Sequence, residues 1–258
     1  MSRGVLFFCI ALGAAPLPCR AALPDEIQVY VDDLNDAGQL GLQLHLNTTP
    51  SGIATPSYPG ESVSDHGVRL TPEFAYGLGS DLEAGLYLPV VHDKVPTTRL
   101  AGVKLRLKWV PLRPREGDSG FFAGLNGELS QVQQRYDDSH RSLELRPMLG
   151  WHDARWLLAV NPVLGIDLAG PGRSEPPSFE PSYKVSRRIA EGIATGIEYY
   201  TAVPHTSLAG VLSPAEQTLF WAIDVERKPW VVNFGIGRGL TADTDRWTVK
   251  LIIDVPVD

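Results

Sequence analysis

The chain has 258 residues, of which 43 % are hydrophobic and 21 % charged, with a net charge of −7. These values exclude a disordered or collagen-like chain and leave no basic surface for nucleic acid. Gly (25) and Pro (21) are spread throughout, which favours many turns over long helices.

The N-terminus reads as a secretory signal. Arg3 is a positive n-region, and Gly4 to Leu17 is an apolar run too short to span a bilayer comfortably. Cys19-Arg20-Ala21 leaves small residues at the −3 and −1 positions of a cut after Ala21. Residues 1–21 are therefore expected to be a cleavable signal peptide. Losing Arg3 and Arg20 moves the net charge from −7 to −9, and Cys9 and Cys19 leave as well. The remaining chain would have no disulfide, no thiol catalysis and no cysteine-held metal. Residues 22–37 follow as an N-terminal periplasmic segment or plug, in which Ile27 to Val31 could form one short strand.

From residue 38 to 258 the hydropathy alternates with period two, which segregates faces on a strand and not on a helix. Twelve strands are expected. Gly38 to Thr48 sets Leu40, Leu42, Leu44 and Leu46 against Gly41, Gln43, His45 and Asn47. Val68 to Leu78 and Leu82 to Val91 follow. Leu100 to Val110 is the clearest, with Val103, Leu105, Leu107 and Trp109 opposing Gly102, Lys104, Arg106 and Lys108. The rest are Phe121 to about Tyr136, Ser142 to Trp151, Trp156 to Leu168, Phe179 to Arg188, Ile193 to Val203, Thr218 to Glu226, Trp230 to Gly239 and Arg246 to Val257. Short turns at Gly79-Ser80-Asp81, His152-Asp153-Ala154, Ala190-Glu191-Gly192 and Arg227-Lys228-Pro229 alternate with longer loops. The medium-length Pro111 to Gly120 connection falls on the short side. Short connections at one end and long ones at the other mark an all-β, antiparallel transmembrane β-barrel.

Alternation alone does not say which face points outward, since soluble barrels alternate too. A barrel of about twelve strands has a lumen wider than apolar side chains fill, so a polar interior is expected. The tryptophans agree. Trp109, Trp151, Trp156 and Trp230 fall near the short-turn rim on the apolar face and Trp247 near the opposite rim, as a membrane-interface girdle requires. Pro72, Pro89, Pro147, Pro162 and Pro181 stand against the assignment, because proline removes a ladder donor and a closed barrel has no edge. They call for bulges or for different strand limits.

The polar face carries Arg69, Lys104, Arg106, Lys108, Arg146, Lys184 and Arg188 beside Glu73, Glu83, Glu128, Glu144, Glu180, Asp224 and Asp254. Of these, Lys104, Arg106, Lys108, Arg69, Glu73, Glu144, Arg146, Lys184, Arg188 and Asp224 are the candidate lumen or substrate-binding residues. Such a wall fits a narrow pore for small anionic or zwitterionic solutes. It fits equally a lumen closed by ion pairs. No histidine pair stands at metal spacing, so no metal and no cofactor is expected. Ser64-Asp65-His66 brings triad residue types together, but strand neighbours point to opposite faces. GIGRGL at Gly235 to Leu240 lacks the helix a nucleotide loop needs and reads as a thinned strand.

The stretches GQLGLQLHLN, GVRLTPEFAYGLGSDLEAGLYLPV, AGVKLRLKWVP and GIGRGLTADTDRWTVKLIIDVPVD resemble proteobacterial outer-membrane barrels grouped with the transporters of the phenol-degradation MetA-pathway family. The final Asp258 departs from the aromatic ending common in such barrels. The resemblance implies a location in the bacterial outer membrane, contact with its lipids, insertion by the barrel-assembly machinery and transport of a small solute. It implies no catalytic residue. A membrane-embedded lipid hydrolase and a structural or adhesive barrel stay open as alternatives.

Overall fold

The computed structural model describes residues 25–93, 97–115, 117–203 and 216–257. The expected signal peptide with Cys9 and Cys19, most of the 204–217 loop with His205, and Asp258 lie outside the described residues. The described residues contain twelve strands, joined by turns and loops. They are β1 (Leu40–Ser51), β2 (Val68–Gly77), β3 (Leu82–Tyr87 and Val90–His92), β4 (Thr98–Leu100 and Gly102–Leu112), β5 (Gly120–Val132), β6 (Arg141–His152), β7 (Trp156–Asn161 and Leu164–Ala169), β8 (Ser178–Phe179 and Ser182–Ala190), β9 (Ile193–Ala202), β10 (Glu216–Arg227), β11 (Trp230–Gly239) and β12 (Trp247–Val255). Each pairs antiparallel with its sequence neighbours. β1 pairs with both β2, at Leu44↔Pro72, and β12, at Leu44↔Ile253, so the sheet closes on itself. Ile27 to Val31, which could have formed a short strand, has no regular secondary structure. Only Ala37 bridges to the sheet, at Gly77.

Every expected strand is present, and the prolines explain where the limits differ. Pro89, Pro162 and Pro181 sit in the breaks that split β3, β7 and β8. Pro72 and Pro147 lie inside unbroken strands, but each faces a break in its neighbour. The carbonyl of Pro72 accepts from the Leu88 N–H at the split of β3. A residue's N and O point to the same side of a strand, so the N–H that Pro72 lacks would also point at that split. Pro147 lies between the Leu145↔Leu164 and Leu149↔Val160 pairs, opposite the split of β7. The missing donors of neighbouring strands thus fall together in shared gaps of the ladder, with the register unchanged on either side, and there a closed sheet without edges accommodates proline.

Glycines thin the inner face where large side chains cross it. Gly235 and Gly237 of β11 lie under Phe220 and Lys250. A Cβ on Gly237 would fall 2.4 Å from the Phe220 ring. The Gly-rich run at the end of β11 is therefore a packing feature. The long connections fold over one mouth. The Ser64 hydroxyl and the Ile53 N–H both donate to Asp245, and the Ser62 hydroxyl donates to Asp93. Burial pushes the Asp245 carboxyl above the usual range, against the opposing effect of these hydrogen bonds.

Candidate functional site

The strands are inside-out relative to a water-soluble protein. On β4, Leu105 and Leu107 are 58 % and 49 % exposed, whereas Arg106 and Lys108 between them are 8 % and 4 % exposed. β1 and β2 repeat the pattern, with His45, Asn47, Arg69, Thr71 and Glu73 buried beside exposed Leu46, Leu70 and Phe74. A charge facing hydrocarbon at mid-bilayer costs roughly 2–4 kcal/mol, so this partition is the one a bilayer selects.

The buried charges surround the N-terminal segment, residues 25–37. Its apolar residues pack on the inner wall, Val29 with Phe122 and Ala159, and Tyr30 with Val110 and Met148. Many of its polar groups meet partners on the wall. Asp25 meets Lys104 at 2.7 Å, and Asp33 meets Lys108 at 2.7 Å. The Asn35 N–H and side-chain amide donate to Glu83 at 2.7 and 2.6 Å. Asn161 of β7 accepts from the Tyr30 N–H at 2.6 Å and donates to the Tyr30 carbonyl at 3.0 Å. The Lys250 ammonium donates to the Ile27 carbonyl at 3.0 Å.

Two ion clusters stand behind these contacts. In the first, the Arg106 Nε donates to Glu73 at 2.8 Å and an Nη to Glu83 at 2.7 Å, while His45 lies 3.1 Å from Glu73. The phenols of Tyr30 and Tyr87 meet at 2.6 Å beside the guanidinium. In the second, Glu198 lies between Lys184, at 3.3 Å, and Lys250, with Asp224 3.0 Å from Lys184. A further cation, Arg146, lies 4.4 Å over the Tyr30 ring and donates to Glu144 at 2.8 Å and to the Gln28 carbonyl at 3.2 Å.

The segment divides the interior. A cavity of about 360 Å³ lies toward the long loops, against Asp25, Arg69, Lys104, Glu144 and Arg146. A second, of about 330 Å³, lies toward the short turns, against Asp33, Glu73, Glu83, Arg106 and Lys108. Gln28 lines both.

Of the expected lumen residues, Arg69, Glu73, Lys104, Arg106, Lys108, Glu144, Arg146, Lys184 and Asp224 come together around this interior. Arg188 does not join them and is exposed at the short-turn end of β8, beside a shift in register. Sequence reading passed over Glu198 and Lys250, although each alternates with apolar neighbours in Ile197–Tyr199 and Val249–Leu251. It also passed over Asn161 and Tyr87 as binding groups. On the outside, Trp109, Trp156, Trp230 and Trp247 are exposed and Trp151 half-exposed, with Tyr76 and Phe121 adding to the short-turn end. Arg187 lies over Trp156 at 5.4 Å and Arg238 over Trp247 at 5.0 Å. Ser64, Asp65 and His66 form no relay, since Ser64 donates to Asp245 while the exposed His66 pairs with Asp65. Among the described residues no three His, Cys, Asp or Glu side chains cluster as metal ligands would.

No protein-family model matches the chain, and no curated protein does. The fold has relatives among solved structures. An outer membrane channel from Pseudomonas putida F1 aligns with TM-score 0.59 and 12 % identity, over 89 % of this chain and 99 % of that one. The KdgM porin, solved in complex with disordered oligogalacturonate, aligns with TM-score 0.54 and 7 % identity, over 84 % and 99 %. The NanC porin aligns with TM-score 0.53 and 8 % identity, over 85 % and 100 %. At these identities the likeness establishes the closed outer-membrane type of barrel as the fold.

Proposed function

We propose that this chain is a bacterial outer-membrane channel for small solutes, with a charged lumen that its own N-terminal segment keeps narrow. The observation that carries the reading is the partition on β4, where Arg106 and Lys108 point inward between outward-facing leucines. That arrangement suits lipid outside and water inside. The exposed tryptophans and their stacked arginines suit the two headgroup levels. Outer-membrane lipids and the barrel-assembly machinery are the partners this reading requires. Residues 25–37 act as a plug that leaves one cavity on each side. The wall carries both signs, so a small anionic or zwitterionic solute would move along exchanging partners with fixed charges.

Single-channel recording tests the reading. The chain from Ala22 onward, refolded and inserted into a planar bilayer, is expected to give small discrete openings whose ion selectivity changes in Lys104→Gln. A barrel that inserts fully and stays electrically silent at all voltages would overturn it.

A further inference from the structure

The wall of the outer cavity contains one cation unlike the others. The other cations that line it, Lys104 and Arg146, each donate a hydrogen bond to a carboxylate. Arg69, near the outer end of β2, is 6 % exposed, yet its Nε has no hydrogen-bond partner and its distance to Asp25 is 4.0 Å. Asp25 is held more closely by Lys104, at 2.7 Å. The Arg69 guanidinium lies 6.0 Å over the Tyr136 ring, an aromatic platform that holds its plane. A buried donor without a partner is costly, and a planar fork beside an open cavity is suited to a carboxylate from a ligand.

The opposite wall is richer in acids, although Arg146 of β6 lines it beside Glu144. Glu180 lies between the two segments of β8, six strands from β2 around the ring of twelve and therefore across the lumen. Asp167 of β7 and Glu144 of β6 line the same cavity beside it. These carboxylates make hydrogen bonds of their own, such as the one Glu180 accepts from Ser178 at 2.7 Å. A carboxylate still offers about four lone-pair sites in all, so an ammonium can share it. A lone anion in this cavity would have Arg69 and Lys104 on one side but acids on the other. A lone amine would meet the reverse.

We propose that the outer cavity is a binding site for a small zwitterion, with Arg69 taking its carboxylate and the Glu180 wall its ammonium. The site deepens the channel reading by naming a solute class, but binding itself requires no passage. A volume of about 360 Å³ is at the small end for ligand pockets and fits a molecule of amino-acid size.

Saturation-transfer NMR on the folded barrel in detergent tests this with 4-aminobutyrate, butyrate and butylamine as probes. 4-Aminobutyrate is expected to bind about tenfold more tightly than either single-ended probe, and Arg69→Gln or Glu180→Gln should each weaken it about tenfold. Heat-modifiable gel migration confirms that each variant is folded. If Arg69→Gln does not fold, Arg69→Lys keeps the charge without the fork and should bind severalfold more weakly than the parent. Butyrate or butylamine binding as tightly as 4-aminobutyrate would overturn the proposal, and so would the absence of binding by all three. A barrel that binds 4-aminobutyrate but passes no current keeps the site and retires the channel. A conducting barrel that ignores 4-aminobutyrate does the reverse.

Discussion

The two ion clusters of the lumen hold the same segment with opposite composition. On the β2–β4 side a single guanidinium, Arg106, stands between two carboxylates, Glu73 and Glu83. On the β8–β12 side a single carboxylate, Glu198, stands between two ammonium groups, Lys184 and Lys250. The first cluster reaches the segment through a carboxylate and the second through an ammonium. Glu83 accepts from the Asn35 N–H, and Lys250 donates to the Ile27 carbonyl. An extended backbone offers donors and acceptors in turn, so a wall of mixed sign can hold it without reading its side chains. The lesson is that the central residue of each cluster matters more than its charge suggests, because removing it leaves two like charges facing each other.

The most damaging way to break the comparison is Arg106→Met. It leaves Glu73 and Glu83 buried without their shared cation, and about 4 kcal/mol of stability should be lost. Urea unfolding of the barrel in liposomes checks this, and a midpoint equal to the parent's would mean that water replaces the guanidinium. Glu198→Gln should cost less, about 2–3 kcal/mol, because Lys184 keeps Asp224 as a partner. If the two losses are equal, the retained partner does not matter and the asymmetry drawn above is wrong. Asn161→Ala sharpens the comparison, since Asn161 holds Tyr30 between the two clusters. Losing two hydrogen bonds should cost about 2 kcal/mol, read as faster hydrogen exchange at the Tyr30 amide with the strands unaffected. The smallest effect is expected for Arg106→Lys. The charge stays, but one ammonium cannot serve both carboxylates with the planar fork, and about 1–2 kcal/mol should be lost in the same unfolding assay.

Much of the barrel was legible in the sequence because strand alternation is a local property. The twelve strands, the short and long ends, and the inward Lys104, Arg106 and Lys108 all follow from period two. The proline positions were legible as a problem but not as an answer. That Pro72 faces the split at Leu88, and Pro147 the split at Pro162, depends on register between strands, which one strand's pattern does not carry. The interior was less legible for the same reason. Glu198 and Lys250 are 52 positions apart, and only closure of the sheet brings them together. Arg188 shows the limit of parity, since it keeps its register with Ala194 but stands at the short-turn end of β8, where it is exposed. The segment at 25–37 has only the short Ile27–Val31 pattern to read, and its place follows from partners that lie between 22 and 223 positions away.

The closing seam between β1 and β12 has a consequence for how the molecule is made. Thr48 pairs with Val249, so the last ladder joins parts of the chain separated by nearly its whole length. Loop-closure entropy must be met before that seam returns any hydrogen-bond energy, which places the chain at the slow, high-contact-order end of folding. Until the seam forms, β1 and β12 are open edges able to pair with another chain. The charges of the interior pair partly with one another, as Arg106 does with Glu73 and Glu83, and partly with the segment that leads into β1. Residues 25–37 touch Lys104, Lys108 and Glu83 from within, so the core around which the ring closes belongs to the same chain that enters its first strand.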